Sequence, residues 1–247
     1  MNIQILSDNT KLGAVAADQA ATFIIRSIQE RGWANIILAT GASQFQTLKH
    51  LTTRQDVDWS KVAMFHLDEY IGIEPTHPAS FQKYLMERFV SQVDPAEAYF
   101  IKGDTVAEEE CRRIGALIKS RPIDVALIGI GENAHLAFND PPADFSIKEP
   151  FIVVDLDEAC RRQQVGEGWF PSIDEVPSQA ISMSITQIMK STHLIVSVPD
   201  QRKAKAVKCA VEGPLDPHCP ASILQNHSSC FLFLDKDSSS LLNHVTN

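Results

Sequence analysis

No apolar run in this chain approaches the ~18 residues that a membrane-spanning helix needs, so no membrane partner is expected. The first ten residues, MNIQILSDNT, have neither a basic stretch nor a long apolar core, and no secretory signal is expected there. Cysteine is sparse: Cys111, Cys160, Cys209, Cys219 and Cys230 are an odd number, widely spaced, with no CxxC. That pattern argues against a zinc ribbon or a disulfide framework and favours reduced thiols in a cytoplasm. No internal repeat, low-complexity tract or Pro/Gly/Ser linker divides the sequence. Basic residues are outnumbered, 22 against 31 acidic ones, and no basic run offsets the net charge of −9. No nucleic-acid partner is expected on that balance, whereas a small anionic substrate in a local cationic pocket stays open.

What is present is a 247-residue chain with 44% hydrophobic residues, enough to bury a full core. Short apolar runs alternate with helical periodicity. Strands are expected at Asn2–Leu6, Asn35–Thr40, Val62–Leu67, Ala98–Ile101, Ile123–Ile130, Phe151–Val154, Ala180–Met183, His193–Val198 and Phe231–Leu234. Helices are expected over about Thr10–Arg31, stopped by Gly32, and over Gln44–Leu51, Ala79–Val90, Val106–Lys119 and Gln201–Val211. This alternation predicts an α/β fold: an open, mostly parallel sheet with helices on both faces, a Rossmann-like three-layer sandwich. A single domain over 1–247 is expected, with the less regular stretch 141–177 as a loop or lid.

Ligands of open α/β sheets bind beyond the carboxyl ends of the strands. Three such ends carry suggestive residues. Thr40, Gly41, Ala42 and Ser43 follow the second strand, where small residues and a helix start suit a phosphate. A helix cap by Thr40 or Ser43 would explain the same residues. No Walker lysine follows, so this is not a P-loop. Asp68-Glu69-Tyr70 follows the third strand and offers a carboxylate as general base, or a cap in a solvated turn. The segment Gly129-Ile130-Gly131-Glu132-Asn133-Ala134-His135 matches G-x-G-x-x-A, but a helix there would end within two turns at Pro141-Pro142. His135 is an acid/base candidate, with a buried structural histidine as the alternative. His66, His77, His135 and His218 have no metal-ligand spacing, and no metal is expected.

Taken together, these segments resemble the glucosamine-6-phosphate deaminase/isomerase family and, more distantly, the 6-phosphogluconolactonases. The matching words are ATGAS, FHLDEYIGI, HPASF, GIGENAHLAFNDPP and RKAKAVKCAVEGP, and they run over nearly the whole chain. The resemblance implies conversion of an aminosugar phosphate to a ketose phosphate and ammonia without an organic cofactor. It implies that Thr40, Gly41, Ala42 and Ser43 hold the phosphate with Lys203, and that a lid arginine, Arg161 or Arg162, joins them. It implies that Asp68 moves a proton between C2 and C1, that His135 opens the sugar ring, and that Asp140 assists the histidine.

The chain departs from the family pattern at Asn133, where an aspartate is usual, and at Ala134, where a glycine is usual. Asp140 is one methylene shorter than the usual glutamate, and ATGAS lacks a second glycine and a proline. A lactone hydrolase and a sugar-phosphate sensor with little catalysis therefore stand as alternatives. The short stretch after Phe231–Leu234, with Pro150, Ile152 and Val153 where a basic patch would lie, implies no allosteric activation. A monomer and a homo-oligomer are both open.

Overall fold

The computed structural model describes residues 1–243. The expected domain runs to residue 247, and 244–247 lie outside the described residues. The strands, in chain order, are β1 (Asn2–Leu6), β2 (Ala34–Leu38), β3 (Val62–His66), β4 (Asp68–Tyr70), β5 (Glu97–Tyr99), β6 (Val125–Ile128), β7 (Phe151–Asp155), β8 (Gln179–Met183), β9 (His193–Val198) and β10 (Cys230–Asp235). The helices are α1 (Asn9–Arg31), α2 (Phe45–Leu51), α3 (Phe81–Leu85), α4 (Ser91–Val93), α5 (Ala107–Lys119), α6 (Glu158–Gly166), α7 (Ile185–Ile188) and α8 (Ala204–Glu212).

Seven strands form one sheet in the order β1-β10-β9-β6-β2-β3-β5. Every pairing in it is parallel. Alternation along the strands splits the core into two layers. Ile36 and Leu38 of β2 face a layer with Leu12, Ala16, Ala20 and Ile24 of α1 and Leu48 and Leu51 of α2. Ile37, between them, faces the opposite layer with Ile114 and Ile118 of α5 and Val207 and Ala210 of α8. The expected three-layer architecture is what forms. Local signals set the helix limits: the Asp8 side chain accepts from Lys11 N–H to start α1, and Gly32, at φ 83°, ends it.

Three features differ from the sequence expectation. The third strand does not simply end at Asp68. After Leu67 the chain enters a second, antiparallel sheet, β4-β8-β7, in which Asp68 pairs with Ser182. The stretch 141–177 is also more regular than expected, since it holds β7 and α6. The α6 segment, EACRRQQVG, has few apolar residues, so periodicity gave little sign of it. The cysteines differ as well: Cys209 on α8 is bonded to Cys219, with Cα atoms 6.4 Å apart, and Cys111, Cys160 and Cys230 are free. A turn after α8 makes that pair, and a ten-residue spacing in sequence does not announce it. Among the described residues no helix is long and apolar enough to cross a membrane.

Candidate active site

Four adjacent strands, β3, β2, β6 and β9, deliver their carboxyl ends to one edge of the large sheet. The residues that follow them line a single cleft. β2 supplies Thr40, Gly41, Ala42 and Ser43; the end of β3 leads to Asp68; β6 supplies Gly129, Gly131 and His135; β9 leads to Lys203.

The β2 loop is shaped for close backbone approach. Gly41 adopts φ 92°, a conformation that L side chains rarely take. Gln44 is buried, and its Nε2 donates to Ile128 O at the end of β6, tying the loop to the neighbouring strand. Lys203 is buried at the far side of the cleft, and its burial lowers its pKa, against the opposing pull of Glu167 and Glu132. Oε1 of Glu167 stands 4.0 Å from its Nζ.

Asp68 is 6% exposed, and its Oδ1 has no hydrogen-bond partner. Burial, with Glu69 beside it, raises its carboxyl from 3.8 to about 8. A buried carboxylate without donors is a stronger base than one in water, because nothing compensates the lost hydration. Glu69 plays the opposite part. It points away from the cleft residues and accepts from Tyr70 N, Ser80 Oγ, Phe81 N and Gln82 N, so it anchors the start of α3. Burial pushes Glu69 up to about 7 against those four donors.

His135 sits in a tight turn in which Ala134 N–H donates to Gly131 O and Gly131 N–H to His135 O. A Cβ on Gly131 would lie 2.2 Å from His135 Nε2, so only glycine leaves room for the imidazole. Nδ1 of His135 lies 2.8 Å from Oδ1 of Asp140, which leaves Nε2 as the ring nitrogen for a ligand. Burial pushes the Asp140 carboxyl up, but the hydrogen bond and charge of His135, with donors from Asn133 and Asp157, hold it below the ordinary value. Asn133 Nδ2 donates to Asp140 Oδ1 at 3.0 Å and to Asp157 Oδ2 at 3.3 Å. Asp157 caps α6, and its own N–H donates to Asp140 Oδ2. The histidine pair is thereby joined to the start of α6.

His135, Asp140 and Cys160 place ligand-type atoms within 4.8 Å of one another, the metal-binding grouping found among the described residues. Nδ1 of His135 faces the carboxylate, and burial raises the Cys160 thiol. A thiol is a poor metal ligand. His66 is a core histidine, and its burial depresses its pKa to about 3. His77 stacks on Phe170, and His218 pairs with Asp216 at the surface.

The family model of glucosamine-6-phosphate isomerases/6-phosphogluconolactonase matches residues 7–232. The chain belongs to that family. A glucosamine-6-phosphate deaminase of Exiguobacterium sibiricum is 38% identical over 207 residues, covering 83% of this chain and 80% of that protein. One from Listeria monocytogenes is 33% identical over 243 residues, 97% of this chain and 100% of its own length. Among solved structures, a monomeric glucosamine-6-phosphate deaminase superposes with a TM-score of 0.89 at 30% identity, covering 98% of this chain and 100% of that one. A 6-phosphogluconolactonase from Shewanella baltica shares the fold, with a TM-score of 0.79 at 16% identity over 95% of this chain and 97% of its own.

Within this isomerase/lactonase frame, the cleft brings together Thr40, Gly41, Ala42, Ser43, Asp68, His135 and Lys203, with Asn133 and Asp140 behind His135. Arg161 and Arg162 stand outside it. The Arg161 guanidinium donates to the carbonyls of Ile173 and Val176, and Arg162 pairs with Glu158 in solvent. The α6 face toward the cleft carries Gln163, Gln164 and Glu167 instead. Sequence reasoning also passed over Ser182. Its Oγ accepts from Phe138 N at 3.0 Å and its backbone pairs with Asp68, so one β8 residue holds both halves of the site.

Proposed function

We propose that this protein is an aminosugar-phosphate deaminase/isomerase that converts glucosamine 6-phosphate, or a close analogue, and water to fructose 6-phosphate and ammonia. The observation that carries the reading is a partnerless Asp68 carboxylate oxygen in the same cleft as a His135–Asp140 pair. One carboxylate close to two adjacent carbons suits proton transfer from C2 to C1, and proximity supplies much of the rate. The imidazole, backed by Asp140, suits proton exchange at the ring oxygen near neutral pH. Thr40, Gly41, Ala42 and Ser43, with Lys203, would hold the phosphate and orient the reacting end.

The roles are as follows. His135 Nε2 transfers a proton to the ring oxygen as its bond to C1 breaks, the C1 hydroxyl gives up its proton to become the aldehyde, and O1 regains a proton when C2 loses its own. Asp68 takes the proton from C2 and returns it to C1. The resulting C2 imine adds water and expels ammonia. We read the chain as one catalytic domain over 1–247, with the segment 141–177, α6 above all, as its lid.

The test is incubation with glucosamine 6-phosphate while ammonium and fructose 6-phosphate are followed together. Equal release of the two, lost in His135→Gln, is the expected result. Hydrolysis of 6-phosphogluconolactone without ammonium release would favour the lactonase chemistry instead.

A further inference from the structure

The subsite facing the Thr40–Ser43 loop already holds an anion, and that anion belongs to the protein. Glu167 follows the last residue of α6, and its side chain is only 7% exposed. Its Oε2 lies 3.7 Å from where a Cβ of Gly41 would sit, so the carboxylate rests against the loop backbone. Three groups hold it. Gln163 Nε2 donates to Oε1 at 2.8 Å, Trp169 Nε1 donates to Oε2 at 3.2 Å, and Lys203 Nζ is 4.0 Å from Oε1. The Trp169 ring packs against Phe45 and Tyr84, and Tyr84 Oη donates to Gly41 O. Among the described residues, no other lysine or arginine lines this cleft. Arg202, the neighbour of Lys203, pairs with Asp200 and Glu132.

We propose that Glu167 is the specificity-determining residue of this subsite, an internal ligand of Lys203 that a substrate phosphate must displace. The inference rests on the phosphate reading of the Thr40–Ser43 loop. Two negative groups cannot share one buried lysine without a large repulsion. Open space flanks Glu167. It lies between Gly166 and Gly168, and a Cβ on either would meet nothing within 4 Å. Gly168 turns at φ 82°. Phosphate binding therefore requires the Glu167 side chain to turn away from Lys203, while Trp169 stays on its aromatic platform. Affinity for phosphate esters is thus set below what the loop and Lys203 would give alone. Sugars with a weakly charged or neutral terminus escape that penalty.

Calorimetric titration of the full chain with inorganic phosphate tests this. Glu167→Gln is expected to tighten phosphate binding about tenfold, ~1.4 kcal/mol, and to lower KM for glucosamine 6-phosphate in parallel. Trp169→Phe, which keeps the ring and removes one donor to the carboxylate, is expected to give a smaller gain, about twofold. Unchanged or weaker phosphate binding in Glu167→Gln overturns the proposal. Tighter phosphate binding with no turnover of glucosamine 6-phosphate supports the Glu167 assignment and counts against the deaminase reading alone. Turnover with phosphate affinity untouched by Glu167→Gln overturns the Glu167 assignment alone.

Discussion

Asn133 Nδ2 stands 3.0 Å from Oδ1 of Asp140, the same oxygen that His135 Nδ1 approaches to 2.8 Å. This contact gives a physical account of asparagine at that position. The Asp157 carboxylate lies within reach of the same amide, at 3.3 Å. An aspartate at 133 would set a third carboxylate against those of Asp140 and Asp157 and remove the donor that joins the two. The asparagine Oδ1 accepts from His135 N–H at 3.2 Å, so the turn is held as well.

Asn133→Asp is therefore expected to lower kcat/KM, not to raise it, by roughly 10–100-fold, the worth of one or two charge-assisted hydrogen bonds. Steady-state kinetics on Asn133→Asp and Asn133→Ala checks this. An aspartate variant more active than the alanine variant and the wild type would show that the site wants a carboxylate there.

Asp68→Asn should reduce kcat/KM by about 10²–10⁴-fold, the usual range for a lost general base. The wild-type kcat/KM is expected to climb with pH through about 8, as the Asp68 carboxyl ionises. Stability moves the other way. Below about 4 both folded and unfolded chains hold the proton, and the contribution of this group is fully present. Between 3.8 and about 8 only the folded form keeps it, so stability falls as pH rises through that window. Urea denaturation should find Asp68→Asn more stable than wild type at pH 9, with the gap closing toward pH 4.

Ala134 adopts φ 68°, the left-handed region that glycine takes freely. A left-handed alanine costs about 1–2 kcal/mol, and glycine there adds about 0.4–1 kcal/mol of unfolded-state entropy. Ala134→Gly should thus be neutral or stabilise slightly, within ~1.5 kcal/mol. Ala134→Val, β-branched and 4% exposed, should destabilise clearly. Thermal melts of the two variants compare them directly. A Gly variant that melts well below wild type would show that the strain is not there.

Ser182→Ala removes the acceptor for Phe138 N–H and leaves that buried donor unpaired. The expected cost is about 1–3 kcal/mol of stability. Because Ser182 lies between the Asp68 strand and the His135 segment, kcat should fall more than KM rises. A pure stability loss, with kinetics intact at low temperature, would confine Ser182 to a structural role.

Much of the fold was legible in the chain, because its strands are short and apolar and its helices periodic. His193–Val198 appears with the limits that its apolar run predicts, and Gly32 ends α1 as a glycine stop should. The residues that line the cleft were legible for a related reason. In a parallel sheet the residue after each strand lies at one edge, so strand ends in sequence become neighbours in space. Local patterning pointed to Thr40–Ser43, Asp68 and His135, whereas Lys203 came only from the family resemblance.

Tertiary structure decided what no spacing encodes. Ser182 and Asp68 become partners through a second sheet whose strands are 114 positions apart in register, from Asp68 to Ser182. The Cys209–Cys219 bond depends on a turn after α8. Which residues of α6 and its C-terminal end enter the cleft depends on how the helix is placed in the folded chain, which turns the arginines out and Glu167 in. The sequence by itself determined the strands of the large sheet, the helices α1, α2, α5 and α8 and much of the chemistry available at the sheet edge, since those follow from local propensity and periodicity. The charge of the anion subsite was decided by packing between distant segments, an outcome that short-range pattern does not carry.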